Sequence, residues 1–238
     1  MPARIRKAKV EPAAKERLTR DRVVDAALRI MDAEGLDAVS MRRVAREVGV
    51  EAMSLYHYVR DKEDLLDGIC AHVMREFRYP DEDRPWVEVA RDGAREWRRV
   101  LRDHPNVIAL WADRQRPMTD LESLMPMEFA LRVIERAGIE PREGVLVFNV
   151  LGGYIMGVVM MEVGAMFSAG TSGTTKVDLD AVHSKLPDQG FAHLLPADRM
   201  PCIVAALPHM AACDPGEQFE FGLELLLAGI QARAGAAA

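Results

Sequence analysis

Apolar residues recur at three- and four-residue intervals along almost the whole 238-residue chain, and no stretch alternates with period two, so the pattern predicts an all-α protein. Thr19 stands where it can cap a helix over Arg20 to Glu34, with Val23, Val24, Ala27, Ile30 and Met31 at helical spacing and Gly35 closing it in the left-handed conformation. Ser40 caps a second helix that closes at Gly49, and a third is expected from Ala52 to Tyr58. Asp61 opens a fourth that reaches Phe77, with Asp64 at its third position making a partial capping box and Leu65, Leu66, Ile69, Val73 and Phe77 on one face. After the break from Tyr79 to Pro85, longer helices are predicted over Trp86 to Asp103, Pro105 to Arg114, Thr119 to Ala137, Pro141 to Ala169, Ala197 to Ala212 and Pro215 to Arg233. Proline lies at or near four of those starts, where its missing N–H costs nothing. Gly170 to Leu195 reads as a long polar loop. The domain bounds that follow are an arm over 1–18, a small helical unit over 19–79, and a larger one over 86–235.

The stretch SMRRVAREVGVEAMSLYHYVRDK, Ser40 to Lys62, has the parts of a helix-turn-helix. Such a motif needs a small residue where the helices press together, a turn residue tolerant of positive φ, and apolar residues that fix the crossing. Ala45, Gly49, and Val44, Val48, Val50 and Leu55 supply these in turn. The second helix is then left presenting Ala52, Met53, Ser54, Tyr56, His57 and Tyr58, and the last three, being adjacent, cannot all point inward from a helix. In a major groove, Ser and His can bond base edges, Met or Ala can touch a thymine methyl, and Tyr hydroxyls can reach phosphate. Arg42, Arg43 and Lys62 lie where phosphates would flank that groove. Taken alone, two short helices joined at a glycine also suit an all-helical protein that binds nothing.

Net charge of -6 argues against nucleic acid until it is divided along the chain. Residues 1–80 hold 16 Lys+Arg against 14 Asp+Glu, whereas the remainder holds 15 against 23, and eight of the first 22 residues are basic. A basic arm therefore precedes the motif, and the acidity belongs to the C-terminal part. Cys70, Cys202 and Cys213 are odd in number and have no metal spacing, which fits a reduced, cytoplasmic protein, and the N-terminus has no apolar run of the signal-peptide kind. Val145 to Met161 is uncharged over 17 residues, but that is short for a membrane span and it contains Asn149, Gly152, Gly153 and Gly157, so a buried helix is expected. For an enzyme, no GxSxG, HExxH or phosphate-loop pattern is present, and GTSGTTK at 170–176 lacks the required frame.

Thr19 through Phe77, with GVEAMSLYHYVRDKEDLLDGI at its centre, resembles the DNA-binding domain of the tetracycline repressor (TetR) family, in which a Leu-Tyr-aromatic run ends the helix-turn-helix and a Lys opens helix four. The remainder is similar to the tetracycline repressor's type of C-terminal domain at RDHPNV, MEFALRVIERAGIEPREG and FEFGLELLLAGI. The resemblance implies an all-helical homodimer that sets two recognition helices in successive major grooves of a palindromic double-stranded operator and lets go when a small molecule enters the C-terminal domain. Carried over by position, the DNA contacts fall on Arg42, Ala52, Met53, Ser54, Tyr56, His57, Tyr58 and Lys62. Where that repressor has its metal-binding His and Glu, this chain has Ile108 and Met161, so neither a metal nor a tetracycline-magnesium inducer is expected.

The equivalent pocket would be lined by Trp97, His104, Trp111, Met127, Leu131, Phe148, Asn149, Gly152 and Met161, an apolar set suited to a largely hydrophobic ligand. Asn149, a polar group in the most apolar helix, would need a partner, whereas His104 equally suits a surface cap near Pro105. Gly153 and Gly157, with the stripe Phe219, Leu223, Leu226, Leu227 and Ile230, point to a dimeric four-helix bundle, although the stripe could also pack within one chain. Beside a ligand-gated repressor, a DNA-binding regulator without an inducer stays open.

Overall fold

A computed structural model of the chain describes residues 17–113, 121–164, 195–210 and 213–236. The arm at 1–16, most of the 170–195 loop, and the expected helix ends at Arg114, Thr119, Ala169 and Ala212 lie outside the described residues. Among the described residues there are ten α-helices and one 3-10 turn, and no strand. In chain order they are α1 (Arg20–Glu34), α2 (Met41–Val48), α3 (Ala52–Leu55), α4 (Lys62–Arg75), α5 (Trp86–Asp103), α6 (Asn106–Asp113), α7 (Leu121–Arg136), α8 (Pro141–Glu162), α9 (Pro201–Met210) and α10 (Pro215–Ala236).

The N-terminal unit follows its caps. Thr19 accepts from the Arg22 amide at 3.3 Å and Ser40 from the Arg43 amide at 3.2 Å, each satisfying a donor that the helix leaves open. Gly49 adopts the left-handed conformation (φ 73°, ψ 36°) that turns α2 into α3. Gly35 departs from expectation: its φ is 89° but its ψ is 169°, so the chain leaves α1 extended rather than in a left-handed helical turn. Only glycine adopts that pair of angles without strain.

The expected third helix is shorter than the sequence suggested. It ends at Leu55, and Tyr56, His57 and Tyr58 continue as a tight turn in which each amide bonds three residues back, to Met53, Ser54 and Leu55. Val44, Ala45, Leu55 and Val59 are buried beneath this turn against α1 and α4.

In the C-terminal unit α5, α7, α8 and α10 pack on one another, and α4 packs on both α1 and α7, so one helix belongs to both units. Tyr154 of α8 donates to the carbonyl oxygens of Gln218 and Phe219 on α10, at 3.1 and 2.8 Å. This is where Gly222 is required, since a Cβ there would stand 2.3 Å from the Tyr154 hydroxyl. Arg91 and Arg95 of α5 pair with Glu224 and Glu220 of α10, and Arg98 pairs with the buried Glu162 at 2.6 Å while lying over the Phe219 ring.

The stripe expected at a dimer interface is instead core of the single chain: Phe219, Leu223, Leu227 and Ile230 are buried, and only Leu226 stays half-buried. The reason is rotational. Facing that stripe toward α5 and α8 turns Phe221 and Leu225 outward, beside the likewise exposed Leu146 and Val150 of α8. Gly153 and Gly157 have open space where a side chain would be. By length and composition α8 is apolar enough to cross a membrane; one side of it packs on α5, α7 and α10 and the other is bare in the single chain.

Candidate functional site

The helix-turn-helix presents a short, exposed ridge. Met53 is 73% and Tyr56 49% exposed, His57 is exposed, Ala52, Ser54 and Tyr58 are half-buried, and Leu55 between them is fully buried. Large side chains so exposed beside a dry core are a feature that packing does not require. Arg42 and Lys62 are exposed and have no ion-pair partner among the described residues. Arg43 is different. Glu34 at 2.6 Å and Glu47 at 2.8 Å hold its guanidinium, which removes it from the cations free to meet phosphate.

A polar hub fixes the ridge from behind. Arg20 reaches from α1 to both carboxylate oxygens of Asp64, at 2.9 and 3.0 Å, and also donates to the Tyr58 carbonyl at 3.0 Å. Asp64 in turn accepts from the Arg60 amide at 2.8 Å, so two residues at the end of the ridge are tied through one carboxylate. The sequence assigned Asp64 to a capping box; Asp61 does cap α4, but the Asp64 side chain serves the preceding loop instead. The Arg20 hydrogen bonds hold the Asp64 carboxyl down to about 2, against the opposing effect of burial.

In the C-terminal unit a cavity of about 320 Å³ opens between α4, α5, α7 and α8. Trp97, Trp111, Met127, Phe148, Asn149 and Gly152 line it, as expected from sequence, while His104, Leu131 and Met161 do not. Sequence reasoning missed Met74 of α4 and Phe77 just past its end, Ser123, Pro126 and Phe129 of α7, and Met156 of α8. A signal was present for Phe77, the last residue of the apolar α4 face; nothing in the sequence marked Pro126, a proline inside a helix. Among the described residues the lining holds no ionisable side chain. Asn149 is exposed at the rim, so the buried polar atom without a partner is a different one, Trp111 Nε1. Its indole stacks on Trp97 with centroids 5.6 Å apart.

The profile of bacterial regulatory proteins of the tetR family matches residues 23–69, and that of the tetracyclin repressor-like C-terminal domain matches residues 79–234. The chain belongs to the TetR family. Among TetR-family relatives, the HTH-type transcriptional repressor DrrR1 of Streptomyces coeruleorubidus is 32% identical over 91% of this chain and 78% of its own length. The tetracycline repressor protein class D from Escherichia coli is 25% identical, covering 90% of both. The crystal structure of the TetR family protein ActR from Streptomyces coelicolor in complex with actinorhodin superimposes with a TM-score of 0.76 at 29% identity, covering 94% of this chain and 100% of that one. Membership makes the chain a DNA-binding transcription regulator and not an enzyme.

Within this TetR-family chain Ile108 and Met161 are half-buried against the core, and no group of three metal-ligating side chains occurs among the described residues. His104 joins the two units rather than lining the cavity. Its Nδ1 faces Asp32 of α1 at 2.8 Å and its Nε2 faces Glu76, just past α4, at 3.2 Å. Beside it Asn106 donates to the Met31 carbonyl at 2.8 Å, closing the same seam.

The hydrogen bond to Asp32 raises the His104 pKa, with burial opposing it and the charges of Asp32 and Glu76 adding to it. A raised folded-state value contributes stability that is full below the ordinary value of 6.5 and fades as pH climbs through the folded value. Melting temperature should therefore fall as pH rises above neutrality, and His104→Gln should flatten that slope. Equal slopes in the two proteins, measured from pH 6 to 9, would remove His104 from the account.

Proposed function

We propose that the protein is a cytoplasmic, ligand-responsive repressor that binds a palindromic operator as a homodimer and is released by an uncharged, largely apolar small molecule. The observation that carries the DNA side is the exposure of Met53 on α3 and Tyr56 in the turn that follows it, either side of the fully buried Leu55. Lys62 occupies the first position of α4, where a cation gains nothing from the helix dipole but is placed to meet a phosphate. Arg42 supplies a second free cation from α2.

The release side rests on α4. Its Met74, with Phe77 just past its end, lines the cavity, and Asp64 at its opposite end holds the recognition turn, so a ligand that repositions one end biases the other. ActR, similar over nearly the full length of both chains, has been crystallised with actinorhodin, which supports a small-molecule occupant here. For the dimer, the groove between α8 and α10, lined by Leu146, Val150, Leu225 and Leu226, is the apolar face left open, and twofold symmetry matches a palindromic site.

Tyr56→Ala should weaken binding to DNA from the flanks of the protein's own gene by roughly 10- to 100-fold, corresponding to about 1–3 kcal/mol, with dimer mass and helicity unchanged. Wild-type affinity in that variant, measured by fluorescence anisotropy at fixed salt, would take the ridge out of the interface.

A further inference from the structure

Gly93 of α5 and Gly152 of α8 both line the cavity but differ in what requires them. A Cβ at Gly93 would meet the Phe129 ring at 3.0 Å, so packing explains that glycine. An added Cβ at Gly152 meets no atom of the described residues within 4 Å. Glycine in a helix interior is destabilising relative to alanine, and among the described residues no contact asks for it at 152.

Helix geometry says where that open space lies. Phe148, Gly152 and Met156 follow one another at four-residue spacing and run up one face of α8, with Leu151 and Ile155 to one side of the row and Asn149 and Gly153 to the other. All of them line the cavity, which puts Gly152 at the middle of the α8 wall. Ile155 is buried whereas Asn149 and Gly153 are exposed, so the bare backbone at 152 stands between the closed side of the cavity and its rim. A side chain at 152 would project into the cavity between Phe148 and Met156.

We infer that Gly152 sets the size of the ligand: the cavity reaches its full width only because α8 has no side chain there, and its occupant is an uncharged apolar molecule broad enough to lie against that backbone. This rests on the ligand-gated reading above and adds to it the residue that selects by breadth.

Naphthalene and pyrene, both uncharged and apolar but built of two and four fused rings, test it by equilibrium dialysis against the full-length protein, with melting shift as a second readout. Wild type should bind both, pyrene the tighter because it buries more apolar surface. Gly152→Leu should weaken pyrene binding by about 10- to 100-fold, the scale of a mismatched methylene group in a fitted pocket, and leave naphthalene within about twofold. Gly152→Ala should act in the same direction with a smaller loss. Without ligand, neither variant should melt below wild type, and dimer mass should be unchanged. Equal loss of both probes in Gly152→Leu would make the position an entrance instead of a gauge, and undiminished pyrene binding would take it out of the ligand's reach. A lowered melting temperature or an altered dimer mass would assign the glycine to packing. Each of these overturns the inference while leaving the cavity a ligand site, as does a wild type that takes naphthalene but not pyrene. Binding of neither probe to wild type overturns the inference and the ligand site together.

Discussion

Gly222→Ala should lower the melting temperature by roughly 6–12 °C, the equivalent of about 3 kcal/mol of overpacking for a chain of this size. The added methyl would stand 2.3 Å from the Tyr154 oxygen and 2.6 and 2.7 Å from two of its ring carbons, and none of these atoms is the loose end of a flexible side chain. Tyr154 is held by two carbonyl bonds to α10, and its stacking on Phe219 at 5.9 Å ties it to the stripe at the centre of the core. Relief therefore requires α8 and α10 to separate. Gly235→Ala, in the same helix but with nothing within 4 Å of the added atom, is the matched control and should cause no loss. Thermal unfolding of the two variants side by side settles the matter: equal melting temperatures would mean that the α8–α10 contact yields without cost.

Removal of the Asp64 carboxylate is the second large change. Asp64→Ala takes from the Arg20 guanidinium its two bonds to the carboxylate and leaves the Arg60 amide without its acceptor, at an expected cost of about 1–3 kcal/mol. It also frees the end of the recognition turn, so operator affinity should fall although no DNA-facing side chain is altered. The pH dependence distinguishes this from a packing defect. A carboxyl lowered from its ordinary 3.8 to about 2 contributes stability that is complete above about pH 4 and disappears as pH falls through the folded value. The stability gap between wild type and variant should accordingly be constant from pH 7 to about pH 4 and close towards pH 2. A gap that persists unchanged at pH 2 would mean that charge is not what Asp64 contributes.

What the sequence made legible was local. Caps at Thr19, Ser40 and Asp61 and the left-handed Gly49 are one-residue signals, so α1, α2 and α4 start where their caps stand. Helix periodicity likewise fixed α5 to its observed ends at Trp86 and Asp103. Facing was harder to read. The Phe219 stripe was visible, but a period of three and four says only that one side is buried, not against which chain. Just past the early end of α3 the Arg20 guanidinium bonds the Tyr58 carbonyl across 38 residues, a contact that no window around Ala52 contains. The cavity shows the same limit. The tryptophans lining it came from position in the family, whereas the exchange of roles between Asn149 and Trp111 depends on which atom points to solvent.

The strip of Leu146, Val150, Phe221 and Leu225, bare in the single chain, also bears on how much repressor a cell must make. If two copies must cover it before a palindrome can be gripped, active repressor accumulates with the square of chain concentration while dimers are scarce. Control would then switch on sharply as the protein is synthesised and fade quickly as it is diluted by growth.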